Sequence, residues 1–219
     1  MIHEIDDALR RLVRDEALRA PGGNAGVEVV FDAPTKEWAA RRNAPTVNVY
    51  LYDIREDLRR RSRGLVNDYD EHGIVRARVA PPRYVKLSYL VTAWTQRPED
   101  EHRLLSALLL GMIRHEALPA ALLTGSVAAL GLPVPMTVAL PPPEDRAFAD
   151  VWTALGGELK PSLDVVVSAP LEAARPVPVG PPAREGLHVE VSDTGSGAGD
   201  DRVGHRVTDG GTGVRRGAG

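Results

Sequence analysis

The chain has no cysteine among its 219 residues, which excludes disulfides and thiolate metal sites outright. Lysine is nearly missing as well, with Lys36, Lys86 and Lys160 alone among 27 basic residues. We read that arginine bias as the mark of a GC-rich coding genome, not of function. Neither sign of charge prevails. A formal net charge of -3 leaves no global basic field to hold nucleic acid or an anionic membrane. Long apolar runs are also lacking: Leu104 to Ile113, the longest, contains Ser106 and has about half the length a bilayer span needs. The opening Ile2-His3-Glu4-Ile5-Asp6-Asp7 is acidic and amphipathic, unlike a signal peptide. The expectation is a cytoplasmic protein with one substantial core, since a domain of roughly 150 residues buries about 70% of its unfolded surface.

What is present is unevenly distributed. Beyond residue 172, Pro176, Pro178, Pro181 and Pro182 lead into a Gly/Asp/Ser-rich run, and this last part holds 11 of the 21 glycines. Isolated apolar residues such as Leu187, Val189 and Val191 cannot by themselves offset the entropy of ordering it. The reading is a domain over 1–172 and a Pro/Gly-rich C-terminal tail over 173–219, flexible or ordered by a partner, with a short strand at Leu187–Val191.

Within 1–172 the periodicities define elements. Ile2, Ile5, Leu9 and Leu12 recur at helical spacing, giving a first helix to about Arg19 that Pro21-Gly22-Gly23 stops. Val27–Phe31 reads as a strand and Thr35–Arg41 as a turn of helix carrying Trp38. Thr46–Tyr52, β-branched and aromatic, reads as a central strand. Leu65–Gly73 is loop-like, and Ile74–Val79 with Tyr84–Thr95 suggests an antiparallel pair around Pro81-Pro82. Pro98 suits the first position of a helix, where its missing N–H would be unpaired anyway, and Glu99, Asp100 and Glu101 complement the helix dipole. A strand near Met136–Leu140, a helix from Glu144 to about Leu155 and a strand Ser162–Ala169 follow. Strands and helices mix without regular βα alternation. The fold class is therefore α+β, a single domain with a mixed, mainly antiparallel sheet packed by helices.

Residues that carry chemistry do not assemble into a catalytic pattern. His115-Glu116-Ala117-Leu118-Pro119 starts like a zinc-protease helix, but proline stands where the second histidine ligand belongs. Arg114 and His115 instead suit the C-terminal end of a helix dipole. Asp68-Tyr69-Asp70-Glu71-His72 matches no calcium or zinc loop and reads as a solvated turn ending at Gly73. The glycine run Gly195–Asp201 occurs once, whereas calcium-binding repeats need stacked copies. Arg59-Arg60-Arg61-Ser62-Arg63 is the one concentrated basic patch; Glu56 and Asp57 dilute it and no aromatic platform accompanies it. A solvated face is its plainest reading and a charged contact with a partner protein the functional one. Trp38, Trp94 and Trp152 sit in apolar surroundings that favour core packing. No enzyme, metal or cofactor is expected.

Several segments, in order, resemble one family. They are the N-terminal helix, Pro45-Thr46-Val47-Asn48-Val49-Tyr50-Leu51-Tyr52-Asp53-Ile54-Arg55-Glu56, Pro81-Pro82-Arg83-Tyr84, and Leu87-Ser88-Tyr89-Leu90-Val91-Thr92-Ala93-Trp94. Glu101-His102-Arg103-Leu104-Leu105 and, later, Trp152-Thr153-Ala154-Leu155-Gly156 and Lys160-Pro161-Ser162-Leu163-Asp164 complete the set. Together they resemble the cap, or tail-terminator, proteins of phage-tail-like extracellular contractile injection systems, in the N-terminal domain of the Pvc/Afp-type cap protein. The resemblance implies a structural assembly protein that closes the distal end of an inner tube and its contractile sheath and stabilises the extended sheath. It implies tube and sheath subunits as partners, a homohexameric ring, neither nucleic acid nor membrane as partner, and a cytoplasmic location in assembled particles. Candidate interface residues are Arg55, Arg59, Arg60, Arg61, Arg63, Asp68, Asp70 and Glu71, with Asn48, Tyr50, Tyr52, Tyr89 and Trp94 as fold determinants. The alternatives are a tail-completion protein of a tailed phage-like particle and a small-ligand-binding module.

Overall fold

A computed structural model of the chain describes residues 1–18, 26–141, 148–171 and 177–179. The elements in chain order are α1 (Ile2–Leu12), β1 (Glu28–Val30), α2 (Lys36–Ala40), β2 (Thr46–Glu56), β3 (Val66–Tyr69), β4 (Val75–Val79) and β5 (Arg83–Trp94). Then come α3 (Pro98–Met112), α4 (Gly125–Ala129), β6 (Met136–Val138), α5 (Phe148–Ala154), β7 (Leu163–Leu171) and β8 (Val177–Pro178). They fall into two units, one of residues 1–66 and 79–175, the other of 67–78 and 176 onward.

The first unit is built on a five-stranded sheet in the order β1-β2-β5-β7-β6. Only β1 and β2 run parallel; the other three pairings are antiparallel, as a mixed, mainly antiparallel sheet requires. Side chains alternate across it with period two. One face carries Val47, Val49, Leu87, Tyr89, Val91 and Val167, which join α1 and α3 in the core. α1 contributes Ile5, Ala8, Leu9 and Leu12, one stripe of a helix, and continues through a wider π turn at Val13–Ala17. α3 begins with Pro98 and the three carboxylates of its first turn, and buries Leu104, Leu108 and Met112.

The sheet's other face is buried yet polar, through Thr46, Asn48, Ser88, Thr92, Asp164 and Ser168. Burial of such groups is tolerable only when they are hydrogen-bonded. The Thr46 hydroxyl donates to the Ala44 carbonyl at 2.9 Å, Asn48 Nδ2 to the Asp32 carbonyl at 2.9 Å, and the Tyr52 hydroxyl to Asp164 Oδ1 at 3.0 Å. Tyr52 sits at a register slip: Leu51 pairs with Tyr89 and Asp53 with Ser88, leaving Tyr52 as the extra residue of a bulge.

A polar clamp joins α1 to α4. The Glu4 carboxylate accepts the Ser126 N–H at 3.1 Å, the Val127 N–H at 3.0 Å and the Ser126 hydroxyl at 2.9 Å. Burial pushes its pKa upward, but the Val127 and Ser126 donors outweigh that and bring it down from 4.5 to about 2. Gly125 has φ +60, and a Cβ there would lie 2.4 Å from Glu4 Oε1. Two residues on, Asp6 accepts the hydroxyl of the fully buried Tyr89 at 2.8 Å. Burial raises the Asp6 carboxyl above its ordinary range and, with Asp6 beside it, drives the Tyr89 phenol far upward.

The second unit contains a three-stranded sheet, β3-β4-β8. Two expectations are corrected here. Val66–Tyr69 is a strand, not loop, because pairing with β4 decides a segment whose Asn67 and Asp68 have little strand propensity of their own. β4 and β5 are not partners. β5 is buried along most of its 12 residues and pairs instead with the long β2 and β7, whereas the 5-residue β4 could satisfy less than half of it. The first part of the helix expected from Glu144, the breaker Pro21-Gly22-Gly23, the strand at Leu187–Val191 and the run Gly195–Asp201 lie outside the described residues. No helix among the described residues is long and apolar enough to cross a membrane.

Candidate assembly surfaces

The arginine patch is organised by one buried carboxylate. β2 ends at Glu56, and Asp57 follows, only 5% exposed and tied back to the sheet. Its N–H donates to the Tyr84 carbonyl at 2.8 Å, and Oδ2 accepts the Ser168 hydroxyl at 2.8 Å. Lys86 lies 3.6 Å away and Arg60 3.8 Å away, so the charge is compensated where it is buried. This anchor sets the 3-10 turn Leu58–Arg60 that carries the patch. Arg60 also stacks over the Tyr84 ring at 5.4 Å. Glu56 pairs with Arg61 and Arg83, each at 3.4 Å, and Asp53 with Arg55 at 3.1 Å.

The five candidate arginines therefore differ in kind. Arg55, Arg60 and Arg61 have local carboxylate partners, whereas Arg59 and Arg63 have none among the described residues. The patch is a mixed-charge turn with two uncommitted cations. Leu58 projects beside them, 66% exposed.

The acidic candidates lie in the second unit, Asp68 on β3 and Asp70 and Glu71 in its connection to β4. Asp70 Oδ1 accepts the N–H groups of His72 and Ile74, each at 2.9 Å, and shapes the turn. Gly73, at φ +74, completes it. Asp68 pairs with Arg76 at 3.3 Å, and Glu71 lies 3.6 Å from the His72 ring. These residues form a turn held by its own hydrogen bonds. No group of three or more metal-ligating side chains occurs among the described residues.

Sequence reasoning did not foresee that the chain's three tryptophans meet. Trp38 and Trp94 pack edge to face at 5.3 Å, and Trp94 and Trp152 lie tilted at 6.5 Å. Arg42 lies over Trp38 at 4.6 Å while pairing with Glu28 and Asp32. Lys160 lies over Trp94 at 4.7 Å and pairs with Glu101, whose other oxygen accepts the Thr95 N–H at 3.1 Å. A shallow pocket lined by Arg42, Pro45, Trp94 and Gln96 opens beside this row, but its one cation is already committed. No spacing in sequence announces the row, whose members come from α2, the end of β5 and α5. His115 lies past the end of α3, its N–H donating to the Met112 carbonyl at 3.1 Å.

Comparison with known proteins places the chain in a family. The family described as the Pvc16 N-terminal domain matches residues 4–185. Among solved structures, the chain is similar to the sheath/tube terminator of an extracellular contractile injection system (PVC) in its extended state, seen by cryo-electron microscopy. That likeness has a TM-score of 0.64 and 22% identity and covers 90% of this chain. The tube-terminating cap of the anti-feeding prophage (AFP) is similar too, with a TM-score of 0.57 and 22% identity over 84% of this chain. The chain spans 65% and 60% of the length of those two chains. A search of curated proteins finds no match. With 182 of its residues inside the matched span, the chain belongs to the Pvc16 N-terminal domain family.

Proposed function

We propose that the protein caps the distal end of the inner tube and sheath of a contractile injection system, as a structural subunit without catalytic activity. One observation carries this reading. The fold agrees over 90% of the chain with a protein described as a sheath/tube terminator in the extended state. The physical requirement is independent of the likeness. Tube and sheath subunits stack head to tail, and such contacts continue without limit unless one component is complementary on one side and inert on the other. A ring of six copies would supply that surface, and by binding the extended sheath more tightly than the contracted one it would hold the extended state. Sheath and tube subunits are the partners, neither nucleic acid nor membrane is among them, and the work is done in the cytoplasm within assembled particles.

The test is negative-stain electron microscopy of particles from cells with and without the gene. Loss of intact sheathed particles, or overlong uncapped tubes, restored by the cloned gene, is the expected result. Particles of unchanged length, number and contractility would sink the reading.

A further inference from the structure

Two exposed surfaces of the chain have complementary chemistry. The first is the β3–β4 ribbon, in which Val66, Tyr69 and Ile74 are 61%, 58% and 45% exposed. Val66 and Tyr69 are three residues apart in one strand and so point to opposite faces, giving the ribbon apolar groups on both sides. Only Ala77 of its residues is buried, and a small sheet with so little core is marginal until its apolar groups are covered. At the tip stand Asp70 and Glu71, with no arginine or lysine paired to either among the described residues. The second surface is the arginine turn, with Ile54 and Leu58 52% and 66% exposed beside the uncommitted Arg59 and Arg63. Each surface is apolar with charges beside it: the ribbon's tip is acidic, with Arg76 and Arg78 farther along β4, and the uncommitted charges of the turn are basic. That is the anatomy of a protein interface, with an apolar centre and a polar edge.

We infer that the β3–β4 ribbon of one copy docks on the arginine turn of a second copy, Asp70 and Glu71 facing Arg59 and Arg63. The two surfaces differ, so the contact is heterologous, the kind that generates a ring when its rotation closes. The inference deepens the capping proposal and rests on it only in making self-association the working state. Charge complementarity chooses the second copy as occupant. Charges at the edge of such a contact mainly steer and align the partners, so the association weakens as salt rises.

Analytical ultracentrifugation of the full chain tests it, with circular dichroism melts confirming that each variant folds. The parent chain self-associates, less so in high salt. Arg59→Glu with Arg63→Glu weakens self-association about tenfold or more, and Glu71→Lys does the same. Combining all three in one chain makes the turn acidic and sets one ammonium beside Asp70 at the tip, which recovers part of the assembly, as does mixing the two variant chains pairwise. A parent chain that sediments only as a monomer, an Arg59→Glu/Arg63→Glu chain that assembles like the parent, or a triple variant that stays dissociated would each overturn the contact. A chain that assembles through this contact while its particles remain uncapped fails the capping reading alone. Normal capping by rings that ignore the charge reversals fails the contact alone.

Discussion

At the scale of residues, the most exacting geometry is the clamp of Glu4 on the first turn of α4. A carboxylate that accepts two backbone N–H groups satisfies donors that a helix start leaves unpaired, as an N-cap side chain does. Its folded-state pKa, about 2 against 4.5, means that the fold favours the ionised form. The stabilisation is therefore full above about pH 4.5 and is lost as pH falls through about 2. Glu4→Gln should cost about 1 kcal/mol near neutrality and flatten the acid limb of a urea-denaturation series. Asp6 acts in the opposite sense. Its raised pKa means that the stability it contributes is full below the usual aspartate range and is lost as pH rises through its raised folded-state pKa. Gly125→Ala should cost more than Glu4→Gln, because it combines a strained positive φ with a Cβ placed inside the carboxylate's contact distance. Equal losses in thermal melts would show that the clamp yields freely. Tyr89→Phe removes a neutral hydroxyl donor to the half-buried Asp6, and about 1–3 kcal/mol of destabilisation should follow in urea unfolding.

At the scale of elements, Asp57 ties the arginine turn to the sheet. Asp57→Asn keeps the shape but removes the charge that Lys86 and Arg60 face, leaving two cations beside a neutral amide. Breaking such a buried pair costs about 3–5 kcal/mol when the remaining charge stays buried. Lys86 and Arg60 are part-exposed and retain access to water, so the expected loss is at the lower end or below it, about 1–3 kcal/mol. Hydrogen exchange at Leu58–Arg61 should rise selectively in this variant. Unchanged exchange there would remove Asp57 as the anchor. Nothing in the sequence distinguishes Asp57 from its neighbours, because its partners Ser168 and Lys86 come from distant strands. The same reason separates what was legible from what was not. α1 and α3 could be read because their apolar spacing and first-turn chemistry are local, and β2, β5 and β7 because alternation and β-branched content mark them. The partnership of β5 could not be read, since Pro81-Pro82 looks like a hairpin turn while the choice between β4 and β2 depends on long-range burial. The arginines were legible as a patch, but their division into paired and uncommitted cations follows from the fold alone.

At the scale of the whole molecule, that division changes which substitutions test the capping role. Reversing Arg60 or Arg61 removes ion pairs to Asp57 or Glu56 and so perturbs the turn itself, confounding any loss of function with loss of structure. Arg59 and Arg63 have no such local duty among the described residues, and surface changes of this kind usually alter stability by no more than about 0.5 kcal/mol. If the patch serves assembly, Arg59→Glu with Arg63→Glu leaves the melting temperature of the isolated protein nearly unchanged. In cells that depend on the variant gene, the same pair should give overlong or unsheathed tubes under the electron microscope. Arg60→Glu should lower the melting temperature as well, so comparing the two variants separates a surface that recognises from a turn that merely folds. Normal particle lengths with Arg59→Glu/Arg63→Glu would mean that capping runs through other surfaces, and would leave the arginine turn with a structural role centred on Asp57.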